Sequence, residues 1–582
     1  MDQRNMVIAI AISIAILIGF QYFGERFYPA PPTPTQQTKT GPATNAPTAA
    51  TGTPATAPSV SGEAKVAPRG QVLAATPRVA IDTPRLEGSI NLVGGRIDDL
   101  TLRTYHETVD PKSPEIVLLA PDGSEHPYFL QFGWLAANPD VKVPGPDTRW
   151  TASGGALTPS HPVDLTWDNG AGLKFMRHIA VDAQYMFTIT DKVTNSGAAS
   201  VKLSPYVVDV RKGEIEVSHT YLLHEGPIGV TDGKLHDGSC LFLLGCDPFN
   251  YDEMKKHPHA QFATKGGWFG FTDKYWLTSL IPLQDANVTA ELQYGKVGGV
   301  EIYQADYIGA AHDIAPGASV AEESRAFAGA KEVALLDHYE EQLGIPNFDR
   351  AIDFGWFYWI TKPIFLALGF FYKLIGNFGL AILLLTVLIK LVFFPLANKS
   401  YRAMSKMKKL QPEMQKLREK YGDDKQKLNQ EMMALYKRVG ANPMAGCLPI
   451  VIQIPVFFSL YKVLYVTIEM RHAPFYGWIH DLSAPDPTTF VNLFGLLPFQ
   501  APDVSFLHIG AWPLIMGLTM FLQQKLNPQP PDPMQAKMFM ILPVVFTFML
   551  AQFPAGLVIY WSWNNLLSIA QQWAIMRRSG AA

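Results

Sequence analysis

Lys390 stands inside an apolar run, Phe378–Ala397, that is long enough to be a membrane span. As a helix, that run puts the ammonium about 18 Å from one end and about 10 Å from the other. A lysine at such a depth costs roughly 2.5–3.5 kcal/mol on insertion scales, so something must compensate it. One reading is snorkelling, in which four methylenes lift the charge to the headgroups. The other is a wet cavity lined by Lys390 and by Thr386, one helical turn earlier on the same face. Later apolar runs carry more polar groups. Trp561, Asn565, Ser568 and Gln572 recur at helical spacing, and Gln453, Thr519, Gln523 and Thr547 each sit within another run. Any one of these is ordinary interhelical hydrogen bonding. Together with a buried cation they outline a polar groove of Lys390, Thr386, Gln453, Trp561, Asn565 and Gln523. No Asp or Glu lies inside these runs. Proton- and ion-coupled transport normally needs such carboxylates. A cation without a permanent counter-ion instead suits a transient anionic guest.

Covalent or metal chemistry has little support. Cys240, Cys246 and Cys447 are too few for a zinc site or a disulfide framework, although Cys240 and Cys246 could pair in an oxidising compartment. His257 and His259 flank Pro258 as in an exposed loop, and His219, His224, Glu214 and Glu216 form no recognisable acid–base pair. There is no phosphate-binding glycine loop and no nucleophile elbow. No metal, no cofactor and no enzymatic activity are expected.

The elements that would position the groove follow from composition. Residues 6–23 are apolar apart from Ser13 and Gln21 and lack a small-residue cleavage site, as in an uncleaved N-terminal transmembrane anchor (1–28). Residues 29–77, rich in Pro, Thr and Ala, cannot bury enough surface to order themselves and read as a disordered tether. From 78 to 343 the apolar period is two. Phe187, Ile189 and Val193 alternate with threonines, Val288, Ala290 and Leu292 alternate likewise, and paired glycines such as Gly298-Gly299 punctuate the runs. This predicts an all-β sandwich closed by a short helix ending at Gly344. Candidate spans are 378–397, 447–468, 509–526, 538–553 and 557–576.

Charge sets the orientation. Residues 399–438 hold twelve Lys or Arg against five Asp or Glu, whereas 469–510 hold one Arg and four acids. Basic loops stay cytoplasmic. The aromatic-rich stretch 354–376 is therefore expected to lie flat on the outer surface as an interfacial helix, because counting it as a span would put the basic loop outside. Both termini are then cytoplasmic and the β-domain extracytoplasmic. The basic loop, 399–440, is itself periodic. Met404, Met407, Leu410, Met414 and Leu417, then Leu428, Met432, Leu435 and Val439, flank a turn at Gly422. This predicts an amphipathic hairpin whose apolar faces pack partly on each other. Its methionines, Met404, Met407, Met414 and Met432, offer an adaptable apolar contact surface, and its basic faces suit anionic lipid or ribosomal RNA.

The stretch Asp353 to Gln572 resembles the core of the YidC family of bacterial membrane protein insertases. The residues that carry the resemblance are Gly376-Asn-Phe-Gly, Lys390 with Pro395-Leu396, Leu410-Gln-Pro, Gly422-Asp-Asp-Lys-Gln and Gln430-Glu-Met-Met-Ala-Leu-Tyr. Asn442-Pro443, Gly446-Cys-Leu-Pro, Gln453, Trp478-Ile-His-Asp-Leu-Ser, Asp532-Pro-Met-Gln and Phe553-Pro-Ala-Gly-Leu continue it. The outer domain, with Gly266-Gly-Trp, is similar to the periplasmic β-supersandwich of Gram-negative members. The resemblance implies a multi-domain membrane protein: an N-terminal anchor, a periplasmic all-β supersandwich, and an α-helical five-span core (377–582) with a cytoplasmic helical hairpin. It implies a bacterial inner-membrane location, nascent membrane proteins as clients, and work with the Sec translocon or alone. The basic hairpin becomes the expected ribosome contact. Lys390 matches the family's groove cation, usually Arg; lysine keeps the charge but loses the planar fork. Gln453 and Trp561 match other groove positions. Two rival readings are a solute transporter with a periplasmic capture domain and a membrane-anchored carbohydrate-active enzyme. The first lacks paired intramembrane charges and inverted repeats; the second lacks a poised acid–base pair. No small-molecule substrate is expected.

Overall fold

The computed structural model describes residues 66–578, apart from 216, 218–222, 239, 242–244, 247–248, 356, 423, 440–447, 500–507 and 528–532. The predicted anchor, 6–23, and most of the tether lie outside the described residues. The tether's end is shorter than composition suggests. Residues Arg69–Ala74 form a short helix, and Arg69 reaches from it to Asp99 and Thr101 of the β-domain. A charge-assisted anchor orders a segment whose apolar content alone could not.

Two antiparallel sheets make the β-domain. The ten-stranded sheet has Tyr128–Ala136, Val201–Lys212 and Val300–Gly309 at its centre; the nine-stranded sheet is centred on Trp276–Pro282, Ser319–Ala330 and Met186–Asn195. The alternation read from the sequence is realised. Phe187, Ile189 and Val193 are buried along one strand, and Val288, Ala290 and Leu292 along another. Gly298 and Gly299 both take positive φ (59° and 89°) at the hairpin before Val300, a turn whose hand matches the twist of its strands. Cys240 and Cys246 oppose each other in a two-stranded hairpin.

The face of the larger sheet turned away from its partner holds an unusual group. Glu291 and Asp306 are cross-strand neighbours and both are buried. Gln304 donates to Asp306 Oδ2 at 2.7 Å, Gln293 donates to Glu291 Oε2 at 2.9 Å, and Asp306 Oδ1 has no partner. Burial pushes the Asp306 carboxyl up to about 8, helped by the Glu291 charge and opposed by the Gln304 hydrogen bond. The folded protein therefore holds a proton that the unfolded chain releases near its ordinary value of about 4. Stability must fall as pH rises through this window. Asp306→Asn should be more stable than the parent at about pH 9, with the advantage shrinking steadily as pH falls toward about 4. Thermal unfolding in detergent across that range checks this, and equal pH slopes for the two proteins would refute it.

After the sandwich come α1 (Val333–Leu343), α2 (Tyr358–Ile375), α3 (Phe378–Val392), α4 (Phe394–Tyr421), α5 (Lys425–Val439), α6 (Leu448–Val466), α7 (Ala511–Leu526), α8 (Pro533–Leu550) and α9 (Ala555–Arg578). Helices occupy every predicted span position. Among the described residues, no single helix is long and apolar enough by itself to cross a membrane. The pair α3 and α4 passes that test together, bent by 69° at its break. The stretch 378–397 is thus not one straight helix. Helix α3 ends before Phe393, whose φ and ψ of −88° and 4° leave the helix, and Pro395 at the next helix start cannot donate back across the break. The hairpin helix consequently starts at Phe394, before the predicted 399.

The β-domain and the helices share a continuous apolar core. It runs from the sandwich through Ile345, Phe348, Ile352 and Phe354 to Ile364, Phe365, Leu460 and Leu464. Polar ties reinforce it. Glu469 accepts the Val333 N–H at the start of α1 at 3.0 Å, Arg471 Nη2 donates to the His106 carbonyl at 2.5 Å, and Lys362 pairs with Asp337 and Asp349. Burial pushes the Glu469 carboxyl up to about 7. Lys462 belongs to the same junction. It lies near the end of an apolar run, where a lysine would ordinarily snorkel, but it pairs with Asp353 at 2.7 Å instead. The apolar edge of α2, with Trp359, Leu366, Phe370 and Leu374, remains exposed.

Candidate functional site

Of the six residues predicted to line a groove, α9 carries or contacts four: Lys390, Gln453, Trp561 and Asn565. Its neighbours are fixed by local devices. Gly376 closes α2 in the left-handed region (φ 74°), and the Asn377 side chain then accepts the Leu380 N–H to start α3. This corner packs on its own aromatics, Tyr372 and Phe378, stacked at 3.8 Å. The break at Phe393 places Lys390 in the last turn of α3, where its charge complements the carbonyl end of the helix.

Lys390 does not run out along its own helix. Its Nζ donates to Ser568 Oγ on α9 at 2.5 Å, and Tyr401 of α4 hydrogen-bonds the same hydroxyl. Among the described residues no carboxylate forms an ion pair with Lys390. Ser568 also donates to the Asn564 carbonyl at 2.8 Å, so its oxygen is oriented toward the ammonium. One turn away, Asn565 donates to Thr519 Oγ1 of α7 at 3.2 Å, and Gln523, half-buried, follows Thr519 by one helical turn. At the other end of the stripe, Gln572 donates to Asn527 Oδ1 at 3.1 Å while its own Oε1 is buried without a partner. Gln453 of α6 hydrogen-bonds Tyr560. Trp561 is wedged between Phe457 and Phe546, with ring centroids 4.7 and 6.0 Å away.

Thr386 does not join this group through its hydroxyl. It is buried and bonds back to the Ile382 carbonyl at 2.7 Å, a habit of threonine inside apolar helices. Three participants stood outside the sequence-based site: Ser568, Tyr401 and Gln572. Ser568 and Gln572 were visible as members of the polar stripe. Nothing local marks Tyr401, because it reaches α9 only through the bend after α3.

In the hairpin, α4 and α5 close on Leu410, Met414 and Leu435, with Met407, Leu417, Met432 and Tyr436 packed around them. Met414 is thus seam rather than surface, Met407 and Met432 are half-buried in it, and Met404 is half-buried outside it. The exposed methionine is Met433, which the periodicity did not single out. Elsewhere, His219 and Glu216 lie outside the described residues, and His224 bonds the Pro227 carbonyl. Among the described residues there is no group of three or more potential metal ligands.

Comparison with known proteins agrees with this architecture. Residues 78–367 match the family model described as the YidC periplasmic domain, and residues 370–581 match the one described as 60Kd inner membrane protein. A membrane protein insertase YidC of Methylobacterium sp. (strain 4-46) is 52% identical over 612 residues, covering 100% of this chain and 96% of the relative. That of Granulibacter bethesdensis is 52% identical over 582 residues, covering 100% and 98%. Among solved structures, one of an active YidC insertase with its first transmembrane domain resolved overlaps 85% of this chain and 91% of its own, at 15% identity and a TM-score of 0.35. Two adjoining family domains and half-identity across the full length leave one assignment: this chain belongs to the YidC family of inner-membrane protein insertases.

Proposed function

We propose that this insertase works by hydrating the polar parts of its client while leaving the apolar part to lipid. The cytoplasmic hairpin receives a nascent hydrophobic segment, with Met433 and Met404 as its adaptable contacts. Polar or acidic flanks then enter the groove along α9 and are drawn by Lys390. The apolar segment slides along the open side into the bilayer. A flank that crosses hydrocarbon bare loses its hydrogen bonds, and the groove lowers that barrier by replacing them. The observation that carries this reading is the state of Lys390: a cation held inside the bundle by a hydroxyl, with no carboxylate pair among the described residues. A guest carboxylate can outbid a serine for it, since a charged partner makes the stronger hydrogen bond.

The same reading has α3 and α6–α9 as the five spans, α2 in the outer leaflet, an N-terminal anchor at 6–23 and both termini cytoplasmic. The basic faces of the hairpin contact the ribosome and anionic lipid, and the protein serves clients alone or beside the Sec translocon. Site-specific crosslinking from Gln453, Trp561 and Met433 to ribosome-bound nascent chains tests it. Crosslinks should pass from Met433 to Gln453 and Trp561 as the chain lengthens. Crosslinks confined to lipid or to Sec components would overturn the route.

A further inference from the structure

The loop that joins α6 to α7 carries an apolar tip that the insertion route does not use. We infer that residues 490–499 form a wedge that inserts into the acyl region of the outer leaflet, anchoring the periplasmic end of α7 in lipid.

Sequence supplies the first argument. No charged residue and no histidine occurs between Asp486 and Asp503. A loop of that length in water ordinarily carries charge. This one presents Phe490, Leu493, Phe494, Leu496, Leu497 and Phe499 outward, and Leu496 is 82% exposed. A contiguous group of large apolar side chains on a protein surface marks a contact with lipid or protein.

Backbone conformation supplies the second. Leu493 and Phe494 are consecutive and both left-handed, with φ of 49° and 59°. Bulky side chains avoid that region, so the fold holds them there at a cost. The effect is a tight knot. Phe494 N–H donates to the Thr489 carbonyl at 2.8 Å, Leu497 N–H to the Asn492 carbonyl at 3.0 Å, Leu496 N–H to the Leu493 carbonyl at 3.3 Å and Phe499 N–H to the Leu497 carbonyl at 2.9 Å. Gly495 N–H donates to Asn492 Oδ1 at 2.9 Å. Water would satisfy these donors at no conformational cost. Hydrocarbon cannot, and a non-helical segment enters it only with its backbone already bonded.

The third argument is the root. Asp486 accepts Trp478 Nε1–H at 3.1 Å, the Thr488 hydroxyl at 2.7 Å and, through its other oxygen, the Trp512 N–H at the start of α7 at 2.9 Å. Trp478 is thereby half-exposed with its ring free and its N–H bonded, the posture of an interfacial tryptophan. The root also touches the α2–α3 corner, where Asn377 Nδ2 donates to the Pro474 carbonyl at 3.4 Å. The polar base and the apolar tip are thus stacked as headgroups and acyl chains are. The loop starts beside Glu469 and Arg471, which contact the β-domain, and this puts it on the periplasmic side.

The test uses full-length protein in proteoliposomes, with an environment-sensitive fluorophore on Leu496→Cys and, as the aqueous comparison, on Val300→Cys in the exposed hairpin of the β-domain. Parent protein labelled identically supplies the background from Cys240, Cys246 and Cys447. The Leu496→Cys probe should be quenched several-fold more by lipids bearing nitroxide high on the acyl chain than by aqueous iodide, with the order reversed at Val300→Cys. A Leu496→Cys probe open to iodide and indifferent to lipid overturns the inference. A probe shielded from both quenchers also overturns it, because it reports a protein covering the tip. Neither result bears on the groove, which the crosslinks test separately.

Discussion

Lys390→Ala is expected to slow insertion of clients with acidic flanks by roughly ten- to a hundredfold, since one charge-assisted hydrogen bond contributes roughly 1.5–3 kcal/mol. Clients whose flanks are neutral should lose little. The contrast follows from the groove's composition. The apolar runs of the core hold no Asp or Glu, so removing Lys390 leaves no uncompensated buried acid there. The bundle should therefore fold, and the defect should appear in the client's crossing rather than in the amount of protein. Lys390→Arg should restore acidic clients, because guanidinium keeps the charge and adds a fork that grips a carboxylate. Ser568→Ala separates position from charge. It removes the hydroxyl that orients Nζ at 2.5 Å and should produce a smaller loss than Lys390→Ala. Reconstituted insertion with paired acidic and neutral clients measures all three variants. Equal losses for both client classes in Lys390→Ala would show that the charge has no role in transfer.

The second large effect is on stability and lies far from the groove. Arg177 is fully buried between the sheets. It grips Asp191 with two hydrogen bonds of 2.7 and 2.9 Å, donates a third to the Gly95 carbonyl at 3.0 Å, and lies over Trp150 and Phe132. Arg177→Met fills most of the space but strands the Asp191 carboxylate inside the core. The expected cost is about 3–5 kcal/mol, the range for breaking one half of a buried pair. Arg177→Met combined with Asp191→Leu should recover much of that loss, because two apolar groups leave no orphan charge. Thermal unfolding of the parent and the two variants decides it. A stable Arg177→Met single variant would mean that the pair is not what holds these strands.

Several elements were open to inspection in the sequence because their signals are local. Period-two alternation in Phe187, Ile189 and Val193 needs no partner to be read, since a strand turns successive side chains to opposite faces. The stripe Trp561, Asn565, Ser568 and Gln572 is legible for the matching reason in a helix. Both patterns survive in the structure. Lys462 shows the limit. Near the end of an apolar run it looks like a snorkelling lysine, and only the fold brings Asp353, more than a hundred residues earlier, to 2.7 Å from it. Met414 shows the same limit inside the hairpin: periodicity marked its face as apolar but could not say whether solvent, a client or α5 would cover it.

Taken alone, the sequence determined the order of parts, the kind of each element, the excess of twelve basic residues over five acids in one loop, and the presence of a lysine in apolar runs that hold no acid. These depend on neighbours three or four residues away, or on simple sums of charge. Tertiary structure decided what the polar residues touch. It broke the first core helix at Phe393, turned Lys390 toward Ser568, set Tyr401 beside it, returned Thr386 to its own helix, and knotted the loop after Asp486 into an apolar tip. Each of those outcomes turns on which surfaces meet. For Lys390 and Tyr401 the partner, Ser568, lies well over a hundred residues away, beyond any window of sequence; for Thr386 and the loop the partners are local, but packing around them decides which local bond forms.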